Sequence, residues 1–164
     1  MIDAIESSHS LFLLVLVEPG DNSLRIVVGE SSLGDLQDLV VEGAGVIKDV
    51  RPVTHRPEDR VFTIEWESYV SYVVTNESWA VYDESGPREG RLFVKFSDSS
   101  FLRYLKERTW SDDRPRYHWQ VNCENHAIDV VSLVQPIISL GHPKAPDGPR
   151  KAPIVYSKEP TTNR

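Results

Sequence analysis

The chain has a single cysteine and a single methionine. One thiol, Cys123, cannot close an internal disulfide, so nothing points to an oxidising compartment. Long hydrophobic runs are also missing. The longest, Leu11 to Val17 (LFLLVLV), falls far short of the about 20 residues that a membrane-spanning helix needs. Positive charge is scarce near the start. The segment MIDAIESSHS carries Asp3 and Glu6 but no Lys or Arg, and no small-x-small cleavage pattern follows. A secretory leader is therefore not expected, and the cytoplasm is the expected location. No nucleotide loop is recognisable. Gly43-Ala44-Gly45 lacks both the spacing and the following helix of a phosphate cradle. No internal repeat occurs, and in a cytoplasmic chain the triplet Asn76-Glu77-Ser78 is a chance match to a glycosylation acceptor.

What is present is an ordinary globular composition, 40% hydrophobic and 26% charged over 164 residues. That length suits one domain, expected over residues 1–140, and a body of about 140 residues buries roughly two thirds of its unfolded surface. Residues 141–164 hold five prolines and few apolar residues, the composition of a disordered tail. Net charge is −7, and residues 1–50 account for all of it, with nine acids against two bases. An acidic N-terminal third repels phosphate backbones, which argues against nucleic acid, and it suits a basic protein partner. Solubility alone is the plainer reason for such charge. With no spanning segment, no membrane partner is expected.

The apolar patterning predicts an α+β fold, mainly antiparallel sheet. Ser10–Val17 and Leu24–Val28 flank the turn residues Glu18 to Asn22 and predict a first hairpin. Residues 33–41 (LGDLQDLVV) place Leu33, Leu36, Leu39 and Val40 at helical spacing and predict a short helix or turn. Strands are expected over Val46–Thr54, Arg60–Glu67, Tyr69–Thr75, Trp79–Tyr82, Leu92–Phe96, Arg116–Asn122 and Ala127–Leu133, with a last edge at Pro136–Leu140. In Arg60–Glu67, Phe62, Ile64 and Trp66 alternate with Val61, Thr63, Glu65 and Glu67, the pattern of one buried and one wet face. One helix is expected at about 98–108. Ser97 to Ser100 offer N-caps, Phe101, Leu102, Tyr104 and Leu105 follow at helical spacing, and Lys106 and Arg108 suit its C-terminal end.

His118, Cys123 and His126 are the nearest approach to a metal cluster, since zinc takes imidazole and thiolate ligands. A small buried thiol beside two unrelated histidines is the commoner situation. The same Cys123 as a nucleophile would need a lowered pKa, and neighbouring Glu124 opposes that. Glu65 and Glu67 resemble a carboxylate pair, but alternating glutamates usually mark the wet face of a strand. No catalytic residue and no cofactor is therefore assigned. Trp66, Trp79, Trp110 and Trp119 with six tyrosines form a large aromatic set. Glu65, Glu67, Tyr69, Tyr72, Glu77 and Asp83 would together make an acidic patch with aromatic anchors, a surface that covers a basic site.

Glu77 to Asp83 (ESWAVYD), Gly90 to Phe93 (GRLF), Ser97 to Tyr104 (SDSSFLRY), Tyr117-His118-Trp119 and Cys123 to Ser132 (CENHAIDVVS) carry a resemblance. Over residues 46–138 the chain resembles a class of small uncharacterised bacterial proteins, and acidic α+β proteins of this kind resemble immunity proteins of toxin systems. That resemblance implies a non-catalytic inhibitor that covers its partner, and no catalytic residues to carry over. The other expectations are a small metal-dependent or Cys/His enzyme using His118, Cys123 and His126, and an accessory or scaffold subunit.

Overall fold

A computed structural model describes residues 1–83, 85–110 and 114–143. In chain order the elements are helix α1 (Ile2–Glu6) and strands β1 (Leu11–Val17), β2 (Leu24–Glu30), β3 (Ser32–Leu33), β4 (Gln37–Val41), β5 (Gly45–Val50), β6 (Val53–Thr54), β7 (Val61–Trp66) and β8 (Tyr69–Asn76). A 3-10 turn at Glu77–Trp79 follows, then β9 (Arg88–Glu89), β10 (Phe93–Phe96), helix α2 (Ser100–Arg108), β11 (Tyr117–Asn122), β12 (His126–Ser132) and β13 (Ile137–Leu140). The fold is α+β, dominated by antiparallel sheet. No helix among the described residues is long and apolar enough to cross a membrane.

Two sheets pack face to face. The first has strand order β1-β2-β7-β13, the second β8-β12-β11-β10-β9. Alternation along β2 and β7 turns Leu24, Ile26, Val28, Phe62, Ile64 and Trp66 inward, where they meet Phe93, Trp119, Val121, Ile128 and Val130 of the second sheet. Removing each of these side chains from water contributes about 1.5–3 kcal/mol. Trp66 and Phe93 bridge the layers with ring centroids 6.4 Å apart, and Phe93 stacks on Trp119 at 5.1 Å. Ile5 of α1 is fully buried at the edge of this core. The Glu6 carboxylate locks α1 in place by accepting from the backbone N–H groups of Arg91, Leu92 and Phe93.

The outer face of the second sheet carries α2 as a third layer. Phe101 of the helix meets the edge of His118 at 5.5 Å, and Phe96 stacks on the same ring at 4.5 Å. Ser99 is the N-cap, its Oγ accepting from Leu102 N at 3.0 Å, so the helix starts where the cap residues predict.

Several expectations need correction. Residues 33–41 are not helical: Leu33 ends β3, and Gln37–Val41 is a strand. The helical match arose because four apolar residues in a short segment satisfy either period, and pairing with β5 decides it. The strand expected over Val46–Thr54 is broken at Arg51-Pro52, where proline has no N–H for a ladder. Trp79–Tyr82 is not a strand; β8 ends where the Asn76 side chain accepts from Ser78 N and starts the 3-10 turn. Helix α1 and the short strand β9 were not expected. The second face of β7 is only partly wet, because Val61 and Thr63 are buried. Of the proline-rich tail, residues 144–164 lie outside the described residues.

Candidate partner-binding surface

Strands β2 and β7 are neighbours in the first sheet, and the chain between them leaves the body as a long hairpin. Pairing continues outward as Ser32↔Thr54 and Leu33↔Val53, then Gln37↔Val50, Leu39↔Ile47, Val40↔Val46 and Val41↔Gly45. The tip turns at Glu42-Gly43-Ala44, with Ala44 N donating to Val41 O and Gly43 at φ 79°, a left-handed conformation that suits glycine. Among the described residues, β4 and β5 pair only with each other. From Ser32 to the tip the arm reaches at most about 35 Å when extended.

This arm is apolar where it meets water. Leu36, Leu39, Val40, Val46 and Ile47 are all exposed, Val40 by 74%. Asp35, Asp38, Glu42 and Asp49 accompany them, against the two bases Lys48 and Arg51. A two-stranded ribbon is marginally stable alone in water, so its seat in the body matters. Asp59 accepts from the Ser32 hydroxyl and from Arg56 N at 2.7 Å. The Arg60 guanidinium grips both oxygens of Glu30 at 2.8 and 2.7 Å. His55 covers Gly29 and donates from Nδ1 to Glu30 O at 2.9 Å. Hydrogen bonds from Arg60 hold the Glu30 carboxyl below its ordinary range, and those from Ser32 and Arg56 do the same for Asp59.

The residues expected to form one acidic aromatic patch do not share a face. Glu65 points away from the core on the first sheet, where it pairs with Arg25 at 2.7 Å. Glu67 is exposed just beyond β7. Tyr69 and Tyr72 both donate to Glu18 Oε1 at 2.9 Å, with ring centroids 5.2 Å apart. Burial and this carboxylate push the Tyr69 hydroxyl up to about 12. Glu77 lies past the opposite end of β8, about 23 Å of strand away. Asp83 caps α2, accepting from the N–H and hydroxyl of Ser100, and hydrogen bonds from Ser85 and Ser100 hold its carboxyl far down. Strand alternation and the sandwich itself place Glu65 and Asp83 on opposite outer faces.

The three expected metal ligands do not converge either. Cys123 lies in the sandwich core, where burial and then Glu124 push its thiol up to about 12. His126 opens β12, and its backbone O accepts from Cys123 N. His118 faces the other way, toward α2. Among the described residues no group of three or more His, Cys, Asp or Glu is placed to hold a metal ion.

His118 belongs to a constellation that sequence reasoning missed. Its Nδ1 lies 2.9 Å from Ser99 Oγ and its Nε2 2.9 Å from Asp129 Oδ1, which also accepts from Gln120 Nε2. The residue types match a serine–histidine–aspartate relay, but Ser99 is fully buried and its hydroxyl oxygen is the cap of α2. A nucleophile must reach a substrate, and this one is enclosed. The trio therefore fastens the helix start to the sheet. No sequence spacing announces it, because β11 and β12 bring the residues together by register. The arm did leave a signal: two β-branched runs flanking Gly43-Ala44-Gly45 are a hairpin pattern.

Comparison of the chain with protein families, curated proteins and solved structures gave no match.

Proposed function

We propose that this chain is a non-catalytic binding protein of the immunity type, which covers a basic protein partner in the cytoplasm. The observation that carries this reading is the arm, which holds Leu33, Leu36, Leu39, Val40, Val46 and Ile47 in water among four carboxylates. Covering apolar surface releases about 25 cal/mol per Å². The carboxylates speed encounter with a positively charged surface, in a way that salt weakens. An apolar centre with a polar rim is the usual anatomy of a protein interface. Residues 46–138 resemble small uncharacterised bacterial proteins, and the likeness of some such acidic α+β proteins to immunity proteins of toxin systems adds the immunity type to this reading.

The test compares the intact chain with one in which residues 35–50 are replaced by Asn-Gly. Both are immobilised and exposed to lysate of the source cells at low salt. A basic protein retained near stoichiometry by the intact chain, released by salt and absent from the arm-deleted chain, is expected. Equal retention by both chains would remove the arm from the function.

A further inference from the structure

The arm is apolar on both of its faces. In an antiparallel pair, residues directly opposite one another project to the same side, and the next pair projects to the other side. Leu39 and Ile47 therefore share one face with Val41, while Val40 and Val46 share the reverse face. Neither face is sheltered: Leu39 and Ile47 are 46% and 52% exposed, Val40 and Val46 74% and 54%. A ribbon that rests on a flat surface alternates, one side apolar and the other polar. A strand with apolar residues on both sides is the pattern of an element covered above and below.

The remaining residues of the arm fit the same geometry. The carboxylates lie around the apolar centre, with Asp35 toward the root, Glu42 at the tip, and Asp38 beside Asp49, whose N–H it accepts at 3.3 Å. The tip is slim, because Gly43, Ala44 and Gly45 carry no side chain larger than a methyl, and open space surrounds both glycines. The root is held by the Glu30–Arg60 and Ser32–Asp59 contacts, so the arm presents a stiff base and a slim leading end.

We propose that the partner encloses the arm: a basic protein with a cleft whose two apolar walls close on Leu39/Ile47 and on Val40/Val46, and whose Lys/Arg rim meets Asp35, Asp38, Glu42 and Asp49. This rests on the reading that the arm binds a basic protein, and it adds that the site is a slot and not a flat patch. Charge favours such a partner over a second copy of the chain, because two arms side by side would bring like carboxylates together.

The probe is the full chain carrying photoreactive p-benzoylphenylalanine at one position, expressed in the source cells and irradiated there. Leu39 and Ile47 are replaced singly to report one face, Val40 and Val46 to report the other, and exposed Tyr104 on α2 serves as the control. Crosslinked peptides are identified by mass spectrometry. The expected result is one and the same basic protein from both faces, joined at two separate segments, with Tyr104 silent. Adding Val40→Lys should then lower the Leu39 crosslink about tenfold, since a charge driven into one wall loosens the whole insertion. Crosslinks from only one face would overturn the slot while leaving the binding reading in place. Crosslinks only to another copy of this chain would overturn the basic partner and make the arm a self-association element. Silence from both faces would overturn the slot and the arm's role together.

Discussion

His118 Nε2 and Asp129 Oδ1 meet at 2.9 Å across the neighbouring strands β11 and β12. The contact is more than a strand-to-strand pair, because the other ring nitrogen engages the cap residue of α2. The hydrogen bonds are complete when Nε2–H donates to the carboxylate and the Ser99 hydroxyl donates to Nδ1. One imidazole therefore joins sheet and helix, and its ring fills the space between Phe96 and Phe101.

His118→Ala should be strongly destabilising. It removes a buried ring, leaves a cavity and strands the Asp129 and Ser99 partners, together about 2–4 kcal/mol. Ser99→Ala should cost less, about 1–2 kcal/mol, for the lost cap and the unsatisfied Nδ1. Urea denaturation measures both. A loss below about 0.5 kcal/mol for His118→Ala would place the ring outside the cooperative core.

Acid should loosen the root of the arm. Glu30 and Asp59 have pKa values lowered in the folded chain, so their contributions are fully present above the ordinary carboxylate values, about 4.3 and 3.9, and are lost as pH falls through the folded values. Melting temperature should thus hold from pH 7 to about pH 5 and fall below about pH 4. Asp59→Asn should flatten part of that fall, because Asn cannot titrate. An unchanged acid limb in a Glu30→Gln, Asp59→Asn double variant would locate the acid sensitivity elsewhere.

The arm should be dispensable for folding. None of residues 35–50 belongs to the hydrophobic core, so replacing them with Asn-Gly should keep the near-ultraviolet circular dichroism and a cooperative melt. Val40→Lys and Val46→Lys should each shift stability by less than about 0.5 kcal/mol, since both sites are exposed. Loss of the melt on arm deletion would mean that the ribbon completes the body.

Cys123 should be inert while the chain is folded. A thiol pushed up to about 12 stays protonated at pH 8, and the thiolate is the reactive form. Labelling by a thiol-specific disulfide reagent should follow unfolding by urea and not precede it. Rapid labelling of native protein would show that the site is open.

Gly29→Ala should destabilise the junction of arm and body. A Cβ there would meet the His55 ring at 2.5 Å, and the ring is held in place by Glu30 O. Overpacking of this kind costs about 1–3 kcal/mol. A compensating His55→Ala in the same chain should recover part of the loss, which a melting curve would show.

Much of the fold is legible in the residues themselves. Phe62, Ile64 and Trp66 alternate strictly and lie in the core. The cap candidates Ser97 to Ser100, followed by Phe101 and Leu105, predict a capped helix, and α2 begins among them with Ser99 as its cap. The candidate site was less legible. Leu36, Leu39 and Val40 fit a helix as well as a strand, and only the partner strand β5 distinguishes the two. Glu65 and Asp83 carry like charge and their residue types suit one acidic patch, yet one pairs with Arg25 and the other caps α2.

The sequence by itself determined the antiparallel α+β class, the position of α2 and the buried inner strands. Each follows from local periodicity, capping chemistry or composition, and none needs a distant neighbour. Only the tertiary structure decided that residues 33–53 leave the body as an arm, that Ser99, His118 and Asp129 meet, and that the acidic and aromatic residues divide among separate faces. Those outcomes depend on strand register and sheet order, which bring together residues far apart in the chain through contacts that no local pattern encodes.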